Sequence, residues 1–328
     1  MNIITEKQIC AFKNFIDGHK NFIVTGHKDP DGDCISSILG VSYILEHFNK
    51  PFLLLNAGPF KRSEIKEFEK KFVNEIPFMS AEDVKNCGLI ITDCSELSRL
   101  GEVGDLKSFD TFIIDHHKTS TGLDENYSIV DPSSPAASCL VMMLYEGLVK
   151  NLDKRAADTL FFGLCTDTGF FRFLREDSAN VFELTARLVA AGANPNRMYD
   201  RITGGKPYST RKLLGTTLGH AERYCGGKLV VAYETMEETK TYGQEGRDSD
   251  MLYQALLSCE GVEACVFVRQ ETEHSCTAGF RSRDDVDVSV VASKFGGGGH
   301  KNASGMSCDG RVEKLIPQIV NEFSKILK

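Results

Sequence analysis

Four short runs in the first half of the chain constrain its fold more than any other feature: residues 22–25 (FIVT), 52–55 (FLLL), 89–92 (LIIT) and 111–114 (TFII). Each is apolar on both faces, so none suits a half-solvated surface. Such strands belong in a mainly parallel sheet covered on each side by helices. Between them, residues 34–48 and 61–72 carry apolar side chains at helical spacing. After Pro135 the pattern turns helical through 136–148, 154–165 and 178–191. The first part of the chain therefore reads as an α/β unit with a helical tail.

With 328 residues the chain has room for about two domains. Residues 191–209 (AGANPNRMYDRITGGKPYS) hold two prolines and three glycines without sustained periodicity. Punctuation of that kind marks a connection, and it places a linker at 192–210 between domains 1–191 and 211–328. In the second domain, 211–221 reads as a helix and 228–233 as a strand. Residues 264–269 and 275–281 read as paired strands, 288–294 as a short helix and 312–327 as a final helix.

Charge and cysteine content narrow the function. Against 38 basic residues stand 46 acidic ones, a net charge of −8. A protein that coats long nucleic acid draws its affinity from many Lys/Arg–phosphate contacts, which this balance disfavours. A short anionic substrate in a locally positive cleft remains compatible. The 11 cysteines include no C-x-x-C pair, which reads as reduced thiols in a cytoplasm. The longest apolar candidate, 138–149, is short and contains Glu146, well below the roughly 18 residues that span a bilayer. The first residues lack the basic-then-apolar order of a signal peptide. The expectation is a cytoplasmic protein without a membrane partner.

The chemistry is concentrated in four clusters just past the ends of apolar runs. His27-Lys28-Asp29-Pro30-Asp31-Gly32-Asp33 follows the first run, Asp93 follows LIIT, and Asp115-His116-His117 follows TFII. Asp167 closes an apolar helix within Gly163-Leu164-Cys165-Thr166-Asp167-Thr168-Gly169. Taken singly, each has an ordinary structural reading: an Asp after a strand caps or turns, and a His pair packs on a surface. Together they differ, because groups at the carboxyl ends of parallel strands converge on one edge. So many carboxylates at close quarters repel one another unless cations lie between them. Oxygen donors with a minority of imidazoles and no cysteine in ligand position favour Mn²⁺ or Mg²⁺ over structural zinc. The residues alone describe a two-metal hydrolase site.

This set resembles the DHH phosphoesterase superfamily, named for the triplet that stands here as Asp115-His116-His117. The second half is similar to its DHHA1 substrate domain. The matching motifs are Gly279-Phe280-Arg281-Ser282-Arg283, Val286-Asp287-Val288-Ser289, Gly296-Gly297-Gly298-Gly299-His300 and Ala303-Ser304-Gly305. The resemblance implies an α/β fold: an N-terminal DHH domain with a mainly parallel sheet flanked by helices, plus a smaller C-terminal α/β DHHA1 domain. Size and the paired domains point to the branch of oligoribonucleases (nanoRNases) that are also pAp phosphatases.

On that resemblance His27 and Asp31 bind one metal, Asp33, His116 and Asp167 bind the other, and Asp93 bridges them. Asp29 is a loop residue. His117 faces the scissile phosphate, and Asp115 orients the neighbouring loop and histidines. Arg281 and the run Gly297-Gly298-Gly299-His300 bind the substrate's terminal nucleotide or phosphate. Two ions about 3.5–4 Å apart suit in-line water attack at phosphorus, and a histidine near the leaving oxygen suits general acid catalysis. The glycine run lets backbone N–H groups approach phosphate oxygens. It is not a P-loop, since His300, Lys301 and Asn302 follow it rather than Gly-Lys-[Ser/Thr].

Cys34, Cys94 and Cys165 lie at or near the ligand positions and read as small side chains in a tight site. Arg172, Arg175, Arg201, Lys206, Arg211 and Lys212 flank the last motif and the linker, where they line the cleft or stand as solvated charge. The leading expectation is a two-metal, Mn²⁺- or Mg²⁺-dependent hydrolase. It converts short oligoribonucleotides, especially dinucleotides such as pGpG and pApA, to nucleoside monophosphates, and pAp to AMP. Long DNA is not expected as a partner. The resemblance also implies a homodimer, and the linker is expected to act as a hinge. The alternatives are a soluble cyclic-dinucleotide phosphodiesterase, a RecJ-like exonuclease, a pyrophosphatase of the same superfamily, or a non-catalytic nucleotide or RNA sensor.

Overall fold

A computed structural model of the chain describes residues 4–120, 122–174 and 176–327. The chain forms two compact units that divide between Gly205 and Lys206. The first is built on five parallel strands, β1 (Asn21–Gly26), β2 (Phe52–Leu55), β3 (Cys87–Thr92), β4 (Asp110–Asp115) and β5 (Ser128–Val130). Their order is β2-β1-β3-β4-β5. The four apolar runs are β1 to β4; β5, at three residues, is too short to show a periodicity. The order reverses between β1 and β3, and the crevice at such a switch point is where open α/β sheets bind ligands.

Among the described residues this sheet is accompanied by α1 (Glu6–Gly18), α2 (Gly32–His47), α3 (Ala81–Asn86), α4 (Ala137–Val149), α5 (Lys154–Asp167), α6 (Ala179–Ala190) and α7 (Pro195–Thr203). Helix α2 is buried from Gly32 through Leu45 because it packs against both α4 and α5. That approach depends on missing side chains. A Cβ on Gly32 would come within 2.4 Å of Thr166, and one on Gly163 within 2.7 Å of Ser36 and Ser138. The opposite sheet face is closed by less than the helical layer expected. Leu100, Val103, Leu106 and Phe109 from short turns and loops cover Ile23, Leu89 and Ile91 there.

Two segments differ from the sequence reading. Residues 61–72, expected as an amphipathic helix, form a 3₁₀ stretch over Lys66–Lys71. Phe68 N bonds to Ile65 O and Phe72 N to Glu69 O, both three residues back. The spacing that mimicked an α-helix is satisfied by this tighter turn. Within the expected linker 192–210, Pro195–Thr203 is helical: Asn194 caps α7 by accepting from Arg197 N, and Pro195 opens it. Its buried Met198 and half-buried Ile202 are too few to register as a pattern.

The second unit carries β6 (Glu222–Tyr224), β7 (Leu229–Glu234), β8 (Ala264–Gln270), β9 (Ser275–Ser282), β10 (Gly298–His300) and β11 (Ala303–Asp309). They form one mixed sheet in the order β10-β11-β9-β8-β7-β6, in which only β7 and β8 run parallel. Helices α8 (Tyr208–Gly219), α9 (Met236–Tyr242), α10 (Ser249–Leu257), α11 (Val288–Lys294) and α12 (Val312–Phe323) complete it. Phe280, Val266, Ile319 and Phe323 build the core on one face, and Phe267, Leu252 and Leu256 the core on the other. Among the described residues no helix is long and apolar enough to cross a membrane.

Candidate metal centre

The C-terminal ends of β1, β3 and β4 and the end of α5 deliver the predicted ligands to one place. Asp93 sits immediately after β3 with a left-handed backbone, φ 59°, a conformation that non-glycine residues hold only when their surroundings enforce it. Its amide donates to Ile114 O at 2.9 Å, which fixes the side chain inward. Its two oxygens then point to different histidines: Oδ2 lies 3.3 Å from His27 Nε2 and Oδ1 lies 3.3 Å from His116 Nε2. His116 Nε2 is also 3.4 Å from Asp167 Oδ2.

Backbone carbonyls select the ring nitrogen each histidine presents. His27 Nδ1 is 2.8 Å from Lys28 O, and His116 Nδ1 is 3.1 Å from Ser134 O. Each Nδ1 therefore donates to its carbonyl, which turns Nε2 towards the carboxylates. Asp33 is fully buried at the start of α2 and accepts from Ala137 N (2.6 Å) and Ser138 N (3.0 Å) at the N-terminus of α4. Asp31 caps α2, accepting from Asp33 N and Cys34 N at 3.1 Å each, with its Oδ1 3.9 Å from His27 Nε2.

Among the described residues three overlapping sets place their ligand atoms within 4.8 Å of one another: His27, Cys34 and Asp93; Asp93, His116 and His117; and Asp33, His116 and Asp167. Of the predicted metal ligands, only Asp31 falls outside them. The sets share Asp93 and His116, so this is one centre with two lobes rather than separate sites.

The electrostatics explain what such a centre needs. Burial pulls His27 down, but the adjoining Asp93 outweighs it and raises the imidazole to about 9. Burial likewise opposes protonation of His116, yet Asp93, Asp33 and Asp167 raise it to about 10. Asp93, pushed up by burial, is brought down to about 2 by the same two imidazoles. Asp167 rises to about 6 through burial and the charges of Asp93 and Asp31, against His116. Asp33 is held well above the carboxylate range by burial and then by Asp93 and Asp167, against His116 and the Ser138 side chain. Asp93 Oδ1 is buried and accepts no hydrogen bond. A buried carboxylate oxygen without a hydrogen bond, 3.3 Å from His116 Nε2 and beside further carboxylates, fits a metal ion.

The remaining members of the triplet are fixed one layer out. Asp115 is fully buried; its Oδ1 accepts from His116 N (2.8 Å), His117 N (3.2 Å) and His117 Nδ1 (2.7 Å), and its Oδ2 accepts from Ser120 Oγ. Ser120 Oγ also lies 2.7 Å from Ser95 Oγ. With Nδ1 donating to Asp115, half-buried His117 presents Nε2 to the site. Ser120, Ser95 and the two tautomer-fixing carbonyls carry no signal in the sequence, since any serine or peptide group looks like another. Buried Cys34, Cys94 and Cys165 are held as thiols, burial raising each.

In the second unit, the structure brings Arg281 and His300 together: both are register partners of Ala303, from β9 and β10 on either side of β11. The Arg281 guanidinium lies 4.5 Å from the Tyr253 ring centroid, and His300 is exposed on the edge strand. Gly297 and Gly299 have a packing reason to be glycine, because a Cβ would come within 2.3 Å of Gly305 O and 2.6 Å of Ala303 O. Gly298 faces open space. Of the basic residues flanking the last motif, Arg201 pairs with Glu67 and Arg211 with Asp248. Arg172 and Lys212 are exposed, Lys206 is half-buried, and Arg175 lies outside the described residues.

A parallel sheet with an Asp/His metal centre at its switch point and a mixed-sheet second unit defines a class. Residues 21–164 match the DHH family, N-terminal domain, and residues 226–328 match the DHHA1 domain. The chain belongs to the DHH phosphoesterase family. Within it, the chain is 31% identical over 309 residues to the bifunctional oligoribonuclease and PAP phosphatase NrnA of Thermus thermophilus, spanning 92% of this chain and 90% of that one. It is 26% identical to the cyclic-di-AMP phosphodiesterase GdpP of Bacillus subtilis over 95% of this chain, but only 49% of that protein. An exopolyphosphatase-related protein from Bacteroides fragilis has the same fold, with a TM-score of 0.80 at 23% identity, covering 100% of this chain and 99% of that one.

Proposed function

We propose that this protein is a metal-dependent phosphoesterase that hydrolyses short oligoribonucleotides, dinucleotides above all, to nucleoside monophosphates, and pAp to AMP. The observation that carries the reading is Asp93, whose two oxygens address His27 on one side and His116 on the other. The similarity to NrnA over nearly the whole chain supports the substrate class.

In this reading His27, Asp31 and Asp93 hold one divalent ion, and Asp33, Asp93, His116 and Asp167 hold a second. Mn²⁺ is preferred, and Mg²⁺ is the alternative, for a donor set of carboxylates and imidazoles. When bound, such a pair acidifies a water and neutralises charge on the phosphate. The chain's own residues do the rest. Asp115 accepts the His117 Nδ1–H hydrogen bond and orients the ring, so that His117, when protonated at Nε2 as well, gives that second proton to the leaving oxygen and is left as the neutral Nδ1–H tautomer. Ser120 holds Asp115 in turn. Arg281, His300 and the amides of Gly297, Gly298 and Gly299 bind the anionic end of the substrate. Residues 1–191 form the catalytic domain and 211–328 the substrate domain, and the enzyme works as a cytoplasmic homodimer.

The test is product analysis with Mn²⁺ on pGpG, pApA, a five-nucleotide RNA, pAp, cyclic di-AMP and pyrophosphate side by side. Fast conversion of the dinucleotides to monophosphates, with AMP from pAp, is the expected result. Turnover confined to cyclic di-AMP or to pyrophosphate overturns the substrate class. No turnover in any lane with metal bound overturns the enzyme reading.

A further inference from the structure

We infer that Phe173, with Arg172 beside it, is a stacking platform for a nucleobase of the substrate, and so gives the metal centre its preference for base-bearing phosphodiesters. The inference rests on the functional reading above and extends it to a specificity-determining residue.

The turn that follows Asp167 is strained. Gly169, Phe170 and Phe171 have φ values of 55°, 55° and 71°, three successive left-handed residues of a kind that L side chains avoid. Such a turn persists only where its surroundings enforce it, and such strain concentrates at ligand-binding sites. The two aromatic residues are its anchors. Phe170 packs against Phe161 and Tyr199, with centroids 6.5 and 5.2 Å away, and Phe171 against Phe161 and Phe182, at 6.2 and 5.5 Å. Thr168 Oγ1 accepts from Phe171 N at 3.0 Å and closes the turn.

The product of this construction is the placement of Phe173. Its ring lies over Gly169, where a Cβ would meet a ring carbon at 2.6 Å. Arg172 donates from Nε to Gly169 O at 3.2 Å, and its guanidinium carbon is 5.3 Å from the Phe173 centroid. Yet Phe173 is 65% exposed. The turn spends strain on holding an aromatic ring in water, which the core does not use. Gly169 is two residues from Asp167, so its Cα is within about 7.6 Å of the Asp167 Cα by chain length alone. A phosphodiester held at Asp167 has its bases one ribose away. A planar aromatic face with an adjoining guanidinium accepts any base by stacking, and the cation adds attraction for ring and phosphate alike.

The experiment uses the full chain with Mn²⁺ and a 2-aminopurine dinucleotide whose bridging oxygens are replaced by methylene, so that it binds but is not cleaved. Fluorescence quenching on titration reports stacking. Phe173→Ala is expected to weaken binding roughly 5- to 150-fold, the range found for removing one base–aromatic stack, whereas Phe173→Tyr stays close to wild type. An abasic analogue binds all three proteins alike. With cleavable pApA, Phe173→Ala raises KM by the same factor and leaves kcat near wild type. Wild-type binding and turnover with an unchanged Phe173→Ala overturn the inference and leave the functional reading standing. Equal loss on the abasic analogue makes Phe173 a structural residue and also overturns it. A wild-type protein that neither binds nor cleaves dinucleotides overturns the functional reading, and the inference falls with it.

Discussion

Replacing Asp93 with Asn removes the charge on which both imidazoles rely while nearly preserving side-chain volume. Each Asp93 oxygen is 3.3 Å from one histidine Nε2. At that distance opposite unit charges attract by about 5 kcal/mol at an effective dielectric of ~20. The rise of His27 from 6.5 to about 9, against burial, corresponds to roughly 3 kcal/mol. The two figures agree in order, so this carboxylate is a sufficient cause. Without it, burial governs His27, whose remaining support is Asp31 and the Lys28 carbonyl. His116 falls less, because it still faces Asp33 and Asp167. The sign for stability follows. Both imidazoles titrate higher folded than unfolded, so their contribution to the metal-free protein is complete below pH 6.5 and is lost as pH climbs through about 9 and 10. In Asp93→Asn the His27 part of that loss disappears and the His116 part shrinks. NMR titration of the imidazole protons in chelator-treated protein measures both effects. A variant in which His27 still titrates near 9 refutes the assignment of its charge to Asp93.

Metal uptake should release at least two protons near pH ~7.5, because His27 and His116 must shed theirs to bind and Asp33 is held well above the carboxylate range. Apparent Mn²⁺ affinity then rises steeply from neutral pH towards about 9, and calorimetry in buffers of different ionisation enthalpy counts the protons; a flat profile contradicts the site. Ser120→Ala deprives buried Asp115 Oδ2 of its donor and should lower kcat by roughly 10-fold or more with little change in KM; a loss confined to KM would place Ser120 in substrate binding instead. Gly163→Val drives a side chain into Ser36 and Ser138 and should destabilise by about 1–3 kcal/mol, read as a fall in Tm; an unchanged Tm denies the close approach of α2, α4 and α5. A fragment of residues 206–328 should unfold cooperatively by itself, since its two sheet faces have their own cores; a fragment without a melting transition shows that the unit depends on the rest of the chain.

How far the sequence reads depends on whether a feature has a period or a partner. Strands β1 to β4 are legible because burial on both faces leaves unbroken apolar runs, and the ligands are legible because strand ends converge whatever the loops do. The second unit's β7 and β8 follow for the same reason, and β9 through its strict alternation of buried Cys276, Ala278 and Phe280 with half-buried neighbours. Helix α7 and the 3₁₀ stretch at Lys66–Lys71 escape a pattern reading, since two or three apolar anchors suit several backbones. The carbonyls of Lys28 and Ser134, which choose each histidine's donor nitrogen, are invisible in sequence because every residue has a carbonyl. Gly297 and Gly299 show the converse case: a motif legible as phosphate chemistry has a second cause in the packing of β10 on β11.

The two amides that Asp33 accepts from Ala137 and Ser138 give this aspartate two employers. It stands in the proposed metal centre and is equally the anchor for the first turn of α4, whose own N-cap residue Ala136 offers no side-chain acceptor. Losing such an acceptor costs a helix start about 0.5–2 kcal/mol. Half-buried Asp167, the last residue of α5, holds no backbone amide in this way. The two aspartates therefore age differently under mutation. A descendant that had abandoned chemistry would shed Asp167 freely and keep Asp33, so Asp33 testifies to ancestry and Asp167 to continued work. For the same reason, an inactive control that must remain folded is better made at Asp167.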